Sequence, residues 1–161
     1  MRLTAHACED APARNFTTCL DLLGCERIDH GYHVLGDPEV VKRTRDEGTL
    51  FTVCPTATAV CYFDAYDLTT HPIRRMADEG LRIMVNSDDS PMFHTDIGTE
   101  YVRMASAAGW GPDQVRQFVL NGVEGSWLGE DEKRRMREDF ERDLDGLDGE
   151  LDASSSPQPG H

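Results

Sequence analysis

Apolar and polar residues alternate along four short stretches of the chain. Leu3, Ala5 and Ala7 alternate with polar neighbours over Arg2 to Cys8. Arg27 to Gly31 is centred on Ile28, and Leu50 to Cys54 is densely apolar up to Pro55. Leu81, Ile83 and Val85 alternate with Arg82, Met84 and Asn86 before Ser87. A period of two over four to eight residues predicts strands. Between them the period lengthens to that of a helix. Ala11 to Leu23 carries Phe16, Leu20 and Leu23 on one face, with Pro12 at the opening and Gly24 at the end. Asp37-Pro38 opens a second helix with Val40, Val41 and Thr44 inward and a stop at Gly48; His71-Pro72 opens a third with Ile73 and Met76 inward, ending at Gly80. These are the start and stop signals of helices. Thr56 to Thr70 reads as a long irregular stretch. Helices are predicted over Ile97 to Ala108 and Pro112 to Asn121, and a charged one over Glu130 to Leu144 with sparse apolar positions at Met136, Phe140 and Leu144. From Gly146 the chain ends in Ser-Ser-Ser-Pro-Gln-Pro-Gly-His, which predicts a folded domain over 1–145 and a disordered tail over 146–161.

Four strands alternating with helices predict an α/β fold with a parallel sheet. Four is half of an eight-stranded (β/α)8, or TIM, barrel, whose typical length of about 250 residues exceeds the 161 here. Composition narrows the function classes. Hydrophobic residues make up 39% and charged residues 29%, and no apolar run approaches the ~20 residues of a membrane span. The amino terminus lacks the apolar core of a secretory signal. Five cysteines, an odd number without Cys-x-x-Cys spacing, predict reduced thiols and a cytoplasmic location. A net charge of -14 argues against binding a phosphate backbone. Part of that charge is local: Gly129 to Glu150 holds ten acids against five bases, as solvated helices do.

Each predicted strand delivers reactive side chains to its carboxyl end: His6 and Glu9, His30 with His33, Cys54 before Pro55, then Asp88 and Asp89. In a barrel of parallel strands that end carries the chemistry. Read singly, each has an ordinary explanation, since Asp-Asp-Ser-Pro is good turn chemistry and a single histidine is most often a hydrogen-bonded structural residue. Their shared position favours a site. Imidazole and carboxylate suit zinc, so that His6 and Asp88 could ligate while Glu9 shuttles protons.

In order along the chain, His6-Ala7-Cys8-Glu9 resembles the His-Ala-Gly-Glu motif of the adenosine deaminase family of zinc amidohydrolases. Arg27-Ile28-Asp29-His30-Gly31 resembles its Arg-Ile-Gly/Asp-His-Gly, and Ser87-Asp88-Asp89 its Ser/Thr-Asp-Asp. Val53-Cys54-Pro55 and Asn121 with Ser126-Trp127-Leu128 are similar to further family landmarks, so the resemblance runs from Met1 to about Leu144. It implies strands 5 to 8 of the barrel and zinc-dependent removal of the 6-amino group from an adenine base or nucleoside. By the same resemblance His6 and Asp88 are metal ligands, and Glu9 is the acid/base that protonates purine N1. His30 orients the attacking water, and Asp89 meets the purine at N7. Asp29 is similar to the adenine branch and Tyr32-His33 to the adenosine branch. Departures are Cys8 in place of glycine, Thr56-Ala57-Thr58 after Pro55, and Ser90 between Asp89 and Pro91. The family's His-x-His pair, which supplies two further zinc ligands, has no counterpart among the six histidines. An isolated chain is therefore expected to be inactive and to bind zinc weakly, with an amino-terminal half-barrel or self-association as its partner. The alternative is a non-catalytic half-barrel serving as an interaction module.

Overall fold

The structure is a computed structural model that describes residues 1–62 and 67–155, with side chains through 149. Four strands, β1 (Thr4–Ala7), β2 (Arg27–His30), β3 (Leu50–Val53) and β4 (Arg82–Val85), form one sheet in the order β1-β2-β3-β4. All three pairings are parallel, with Ala5 opposite Ile28, Ile28 opposite Phe51, and Phe51 opposite Ile83. One face carries Ile28, Phe51, Val53, Ile83 and Val85. It is buried with Phe16, Val40, Val41, Ile73, Met76, Met104 and Phe118 from the helices in one core. Each large apolar side chain so buried contributes roughly 1.5–3 kcal/mol.

The second helix follows its sequence signals closely. In α2 (Pro38–Glu47) the Asp37 carboxylate accepts from the Glu39 and Val40 N–H groups, Pro38 opens the first turn, and Gly48 ends it at a left-handed φ of 66°. Val40, Val41 and Thr44 are its buried residues. The first helix departs from expectation. It starts at Arg14, as α1 (Arg14–Thr17), and continues as a π-helical turn over Thr18–Leu22. The wider turn shifts the face by one residue, so that Cys19 is buried while Leu23, expected inward, is exposed.

The stretch Thr56 to Thr70 is not wholly irregular, because α3 (Pro55–Cys61) occupies its start; residues 63–66 lie outside the described residues. Its helicity comes from distant partners. The Glu100 carboxylate accepts from the Thr56 N–H at 2.9 Å, and the Tyr32 hydroxyl lies 2.7 Å from Thr58 Oγ1 and accepts from the Cys54 N–H at 3.0 Å. Helix α4 (Pro72–Asp78) is capped by the His71 ring, whose Nδ1 accepts from the Ile73 N–H. After α5 (Ser90–Phe93) come α6 (Ile97–Ala108), capped by Asp96, and α7 (Pro112–Gly125). Asn121 of α7 donates to the Ile83 carbonyl at 2.8 Å, tying α7 to β4. A side chain at Gly125 would collide with Leu50 and Met84, so the end of α7 lies directly on the second face of the sheet. There Arg27 donates to the Gly125 carbonyl and its guanidinium stacks 4.4 Å from the Trp127 ring centre. The last helix, α8 (Glu130–Ser155), continues eleven residues beyond Leu144, through positions where a tail was expected. Residues 156–161 lie outside the described residues. Arg137 with Glu124, and Arg116 with Asp145 and Asp148, hold α8 to α7. No helix among the described residues is long and apolar enough to cross a membrane.

Candidate functional site

The carboxyl ends of the four strands border a cleft of about 300 Å³ lined by His6, Asp29, His30, Thr52, Cys54, Asn86, Ser87 and Asp88. Alternation explains most of this set. His6, Asp29, Thr52 and Asn86 lie on the sheet face opposite Ile28, Phe51 and Ile83, and Cys54 follows Thr52 at the end of β3. His30 breaks the rule, because strict alternation would put it on the face of Ile28. Its φ of 67° is left-handed, as are those of Cys8 at 55° and Asp88 at 56°. Such torsions cost about 1–2 kcal/mol outside glycine, and all three occur at or just beyond strand ends that border the cleft. They re-aim the chain where the pleat would otherwise turn His30 away. Cys8 stands where the family motif has glycine, and its backbone adopts the torsion that glycine favours.

Gly31 repeats the point at φ 78°, since a side chain there would run into the Phe51 ring. The tight turn lets the Tyr32 ring pack 5.9 Å from that of His30 while its hydroxyl reaches Cys54.

The site is rich in carboxylates facing imidazoles. Glu9 Oε1 lies 3.7 Å from His30 Nδ1, and Asp29 Oδ2 lies 3.7 Å from His6 Nδ1. The His6 and His30 rings are 4.7 Å apart. Asp29 also approaches Arg27 Nε at 3.6 Å. His30 is buried, and burial holds its pKa below the ordinary histidine value despite the opposing pull of Glu9, Asp88 and Asp29. A ring kept neutral can accept a proton or bind a metal through a nitrogen lone pair. Burial pushes the Cys54 thiol well above its usual range, with Asp88 and Asp29 adding to the effect.

Of the residues expected from sequence, His6, His30 and Asp88 share the cleft, and Glu9 reaches it through His30. Asp89 follows Asp88 at the start of α5 and is not among the cleft's lining. His33 lies instead in a separate, larger cleft with Tyr32, His71 and Arg74. Sequence reading assigned no role to Asp29, Thr52 or Asn86. Their common parity on β2, β3 and β4 was the available signal. Cys54 was noted only as a strand end and a family landmark. It forms, with His30 and Asp88, a set of three donor atoms all within 4.8 Å of one another.

The Adenosine deaminase family model matches residues 1–142. An adenine deaminase of Sinorhizobium medicae is 35% identical over 135 residues, which cover 83% of this chain and 41% of that protein. A solved amidohydrolase of Burkholderia ambifaria with bound zinc superposes with a TM-score of 0.87 at 34% identity, covering 95% of this chain and 43% of the other. The adenine deaminase of Arthrobacter aurescens gives 0.84 at 29% identity, covering 90% and 44%. The chain thus spans about two fifths of the length of the curated relatives it matches. A motif order that runs from β1 to α7, a parallel α/β sheet and a family match over residues 1–142 lead to one conclusion: the chain belongs to the adenosine deaminase family.

Proposed function

We propose that the chain forms strands 5 to 8, with their helices, of a (β/α)8 deaminase barrel, and that its cleft takes part in hydrolytic removal of the 6-amino group from an adenine base or nucleoside. The observation that carries this reading is the convergence of His6, His30 and Asp88 on one cleft, with Glu9 3.7 Å from His30. The adenine branch is supported by relatives named adenine deaminase at 32–35% identity.

The donor set suits zinc, since imidazole and carboxylate groups line the cleft. His6 and Asp88 would hold the ion, and bound zinc would supply an acidified water near neutral pH. Asp29 Oδ2, 3.7 Å from His6 Nδ1, is the carboxylate placed to orient this ring, which would leave the other ring nitrogen for the metal. Glu9 would deliver a proton to purine N1 as C6 is attacked. His30, kept neutral by burial, would accept a hydrogen bond from the attacking water and orient it. Asp89 would meet the purine at N7 once the substrate is seated, with the shared proton carried by its carboxyl group or by the ring nitrogen. The free edges of β1 and β4 would receive the remaining strands, from an amino-terminal half-barrel or through self-association.

The test is complementation. The chain is mixed with, or fused behind, an amino-terminal half-barrel bearing His-x-His, and adenine conversion to hypoxanthine is followed. The proposal expects zinc-dependent turnover in the combined protein and its loss, together with zinc, in Asp88→Ala. A folded, zinc-loaded combination without turnover on adenine or adenosine would favour a non-catalytic interaction module.

A further inference from the structure

Glu100, on the first turn of α6, is fully buried, and among the described residues no other carboxylate is buried to that degree. A carboxylate taken out of water is costly unless hydrogen bonds compensate it. Here each oxygen serves a different segment of the chain. Oε2 accepts from the Thr56 N–H at 2.9 Å, and Oε1 accepts from the Thr95 hydroxyl. The helix that carries Glu100 is itself anchored, with Met104 of α6 fully buried in the core.

Both segments border the cleft. Cys54, at the cap position of α3, lines the cleft and gives the helix no side-chain bond. Pro55 has no N–H, so Thr56 carries the first amide of α3, and Glu100 supplies the acceptor that Cys54 does not. One turn further along α6, Arg103 donates to Thr56 Oγ1 at 3.1 Å. Thr95 stands at the other segment, where it closes the turn that begins at Asp88. Its N–H donates to the Ser90 carbonyl at 3.2 Å, the Ser90 N–H to the Asp88 carbonyl at 2.9 Å, and the Met92 and Phe93 N–H groups to the Asp89 carbonyl. Ser90, the residue that separates Asp89 from Pro91, also donates through its hydroxyl to Ser87 Oγ at 2.7 Å. The turn is thus closed on itself, and the Thr95 hydroxyl ties it to α6.

We propose that Glu100 is a positioning residue of the site: its carboxylate holds the turn of Asp88 and Asp89 against the end of β3 and so sets where the two aspartates stand relative to the cleft. The inference rests on the reading of the cleft as part of a deaminase site, and Glu100 itself touches neither substrate nor metal there. Asp88 is held at a left-handed φ of 56°, a torsion that needs a surrounding frame, and the bridge through Thr95 is part of that frame. Placement on this scale matters, because a misplacement of about 1 Å costs up to roughly 10²-fold in rate.

Backbone order parameters from NMR of the full chain read the bridge without any chemistry. Thr95→Val keeps the shape of the side chain and removes its hydroxyl, Thr95→Ser keeps the hydroxyl, and Glu100→Ala removes the bridge outright. In Thr95→Val the order parameters of Ser90, Met92 and Phe93 should fall from about 0.85 to below about 0.6, while Phe51 and Ile83 of the sheet stay near 0.85. Thr95→Ser should restore them. Glu100→Ala should loosen Thr56 as well; if it does not fold, the two Thr95 variants decide. In the combined protein of the complementation test, Thr95→Val should raise the KM for adenine roughly tenfold, the loss expected when a hydrogen bond to a charged group goes, at unchanged zinc content. Loss of folded protein alone would lower kcat in step with zinc and leave KM as it was. Unaltered order at Ser90, Met92 and Phe93, or a KM equal to that of the unsubstituted protein, would overturn the inference and leave the deaminase reading standing. No turnover in the unsubstituted combination would overturn that reading, and the positioning role with it, even where the order parameters respond.

Discussion

Left-handed torsions at Cys8, His30 and Asp88 are a local cost in this chain; His30 and Asp88 line the cleft, and Cys8 follows the strand that brings His6 to it. Strain of this kind persists only where the surroundings over-determine it. Cys8 illustrates the balance. Its side chain is fully buried, with the thiol against the Pro12 and Ala13 carbonyls, yet its φ of 55° suits glycine. Cys8→Gly therefore removes packing and relieves strain together, and its stability change in urea denaturation should fall within about 1 kcal/mol of zero. Cys8→Val fills a similar volume but adds β-branching at the same torsion, and should cost at least about 2 kcal/mol. Equal effects of the two substitutions would mean that packing, not torsion, dominates at this position. Sequence comparison with the family motif exposed the Cys8 anomaly. The torsions of His30 and Asp88 had no such marker, because histidine and aspartate, though enriched at positive φ, adopt it at only a small minority of positions.

At the scale of elements, what was legible depended on how local the cause is. Helix α2 carries its cap, its proline and its glycine stop within twelve residues, and its buried face was read correctly. Helix α3 was missed because its support comes from Glu100, 44 residues away, and from Tyr32. The π-turn after α1 displaced the inward face by one position, which periodicity alone does not register. Helix α4 shows how a local cap carries a pH dependence. His71 caps it with a lone pair on Nδ1, and burial lowers the ring's pKa from 6.5 to about 4. The unfolded chain takes up a proton below pH 6.5 that the folded chain refuses until about pH 4. This contribution is therefore complete at neutral pH and is lost as pH falls from 6.5 towards 4. It amounts to at most about 3.5 kcal/mol, at roughly 1.4 kcal/mol per unit. His71→Asn keeps a capping acceptor without the titration, so its stability should decline less steeply over that range in urea melts. Parallel pH profiles for the two proteins would contradict the assignment.

Over the whole molecule, the parallel sheet and the clustering of strand ends were legible because both follow from chain order and period. The inner composition of the cleft was less so. Asp29, Thr52 and Asn86 become neighbours only through the β2-β3-β4 register. Among the described residues β1 and β4 each present one unpaired edge, and open parallel edges template association. Sedimentation of this chain alone should accordingly show mass rising with concentration. A monomer throughout would mean that the helices shield both edges.

The central claim is that Glu9, held near His30, is the proton carrier of a deaminase site, and turnover by Glu9→Gln in the complemented barrel tests it most directly. Positioned acid/base groups contribute about 10²–10⁴-fold. The substitution should lower adenine turnover by roughly that factor with zinc content unchanged, as measured by metal analysis on the same sample. Near-normal turnover in a folded, zinc-loaded Glu9→Gln protein would contradict the account.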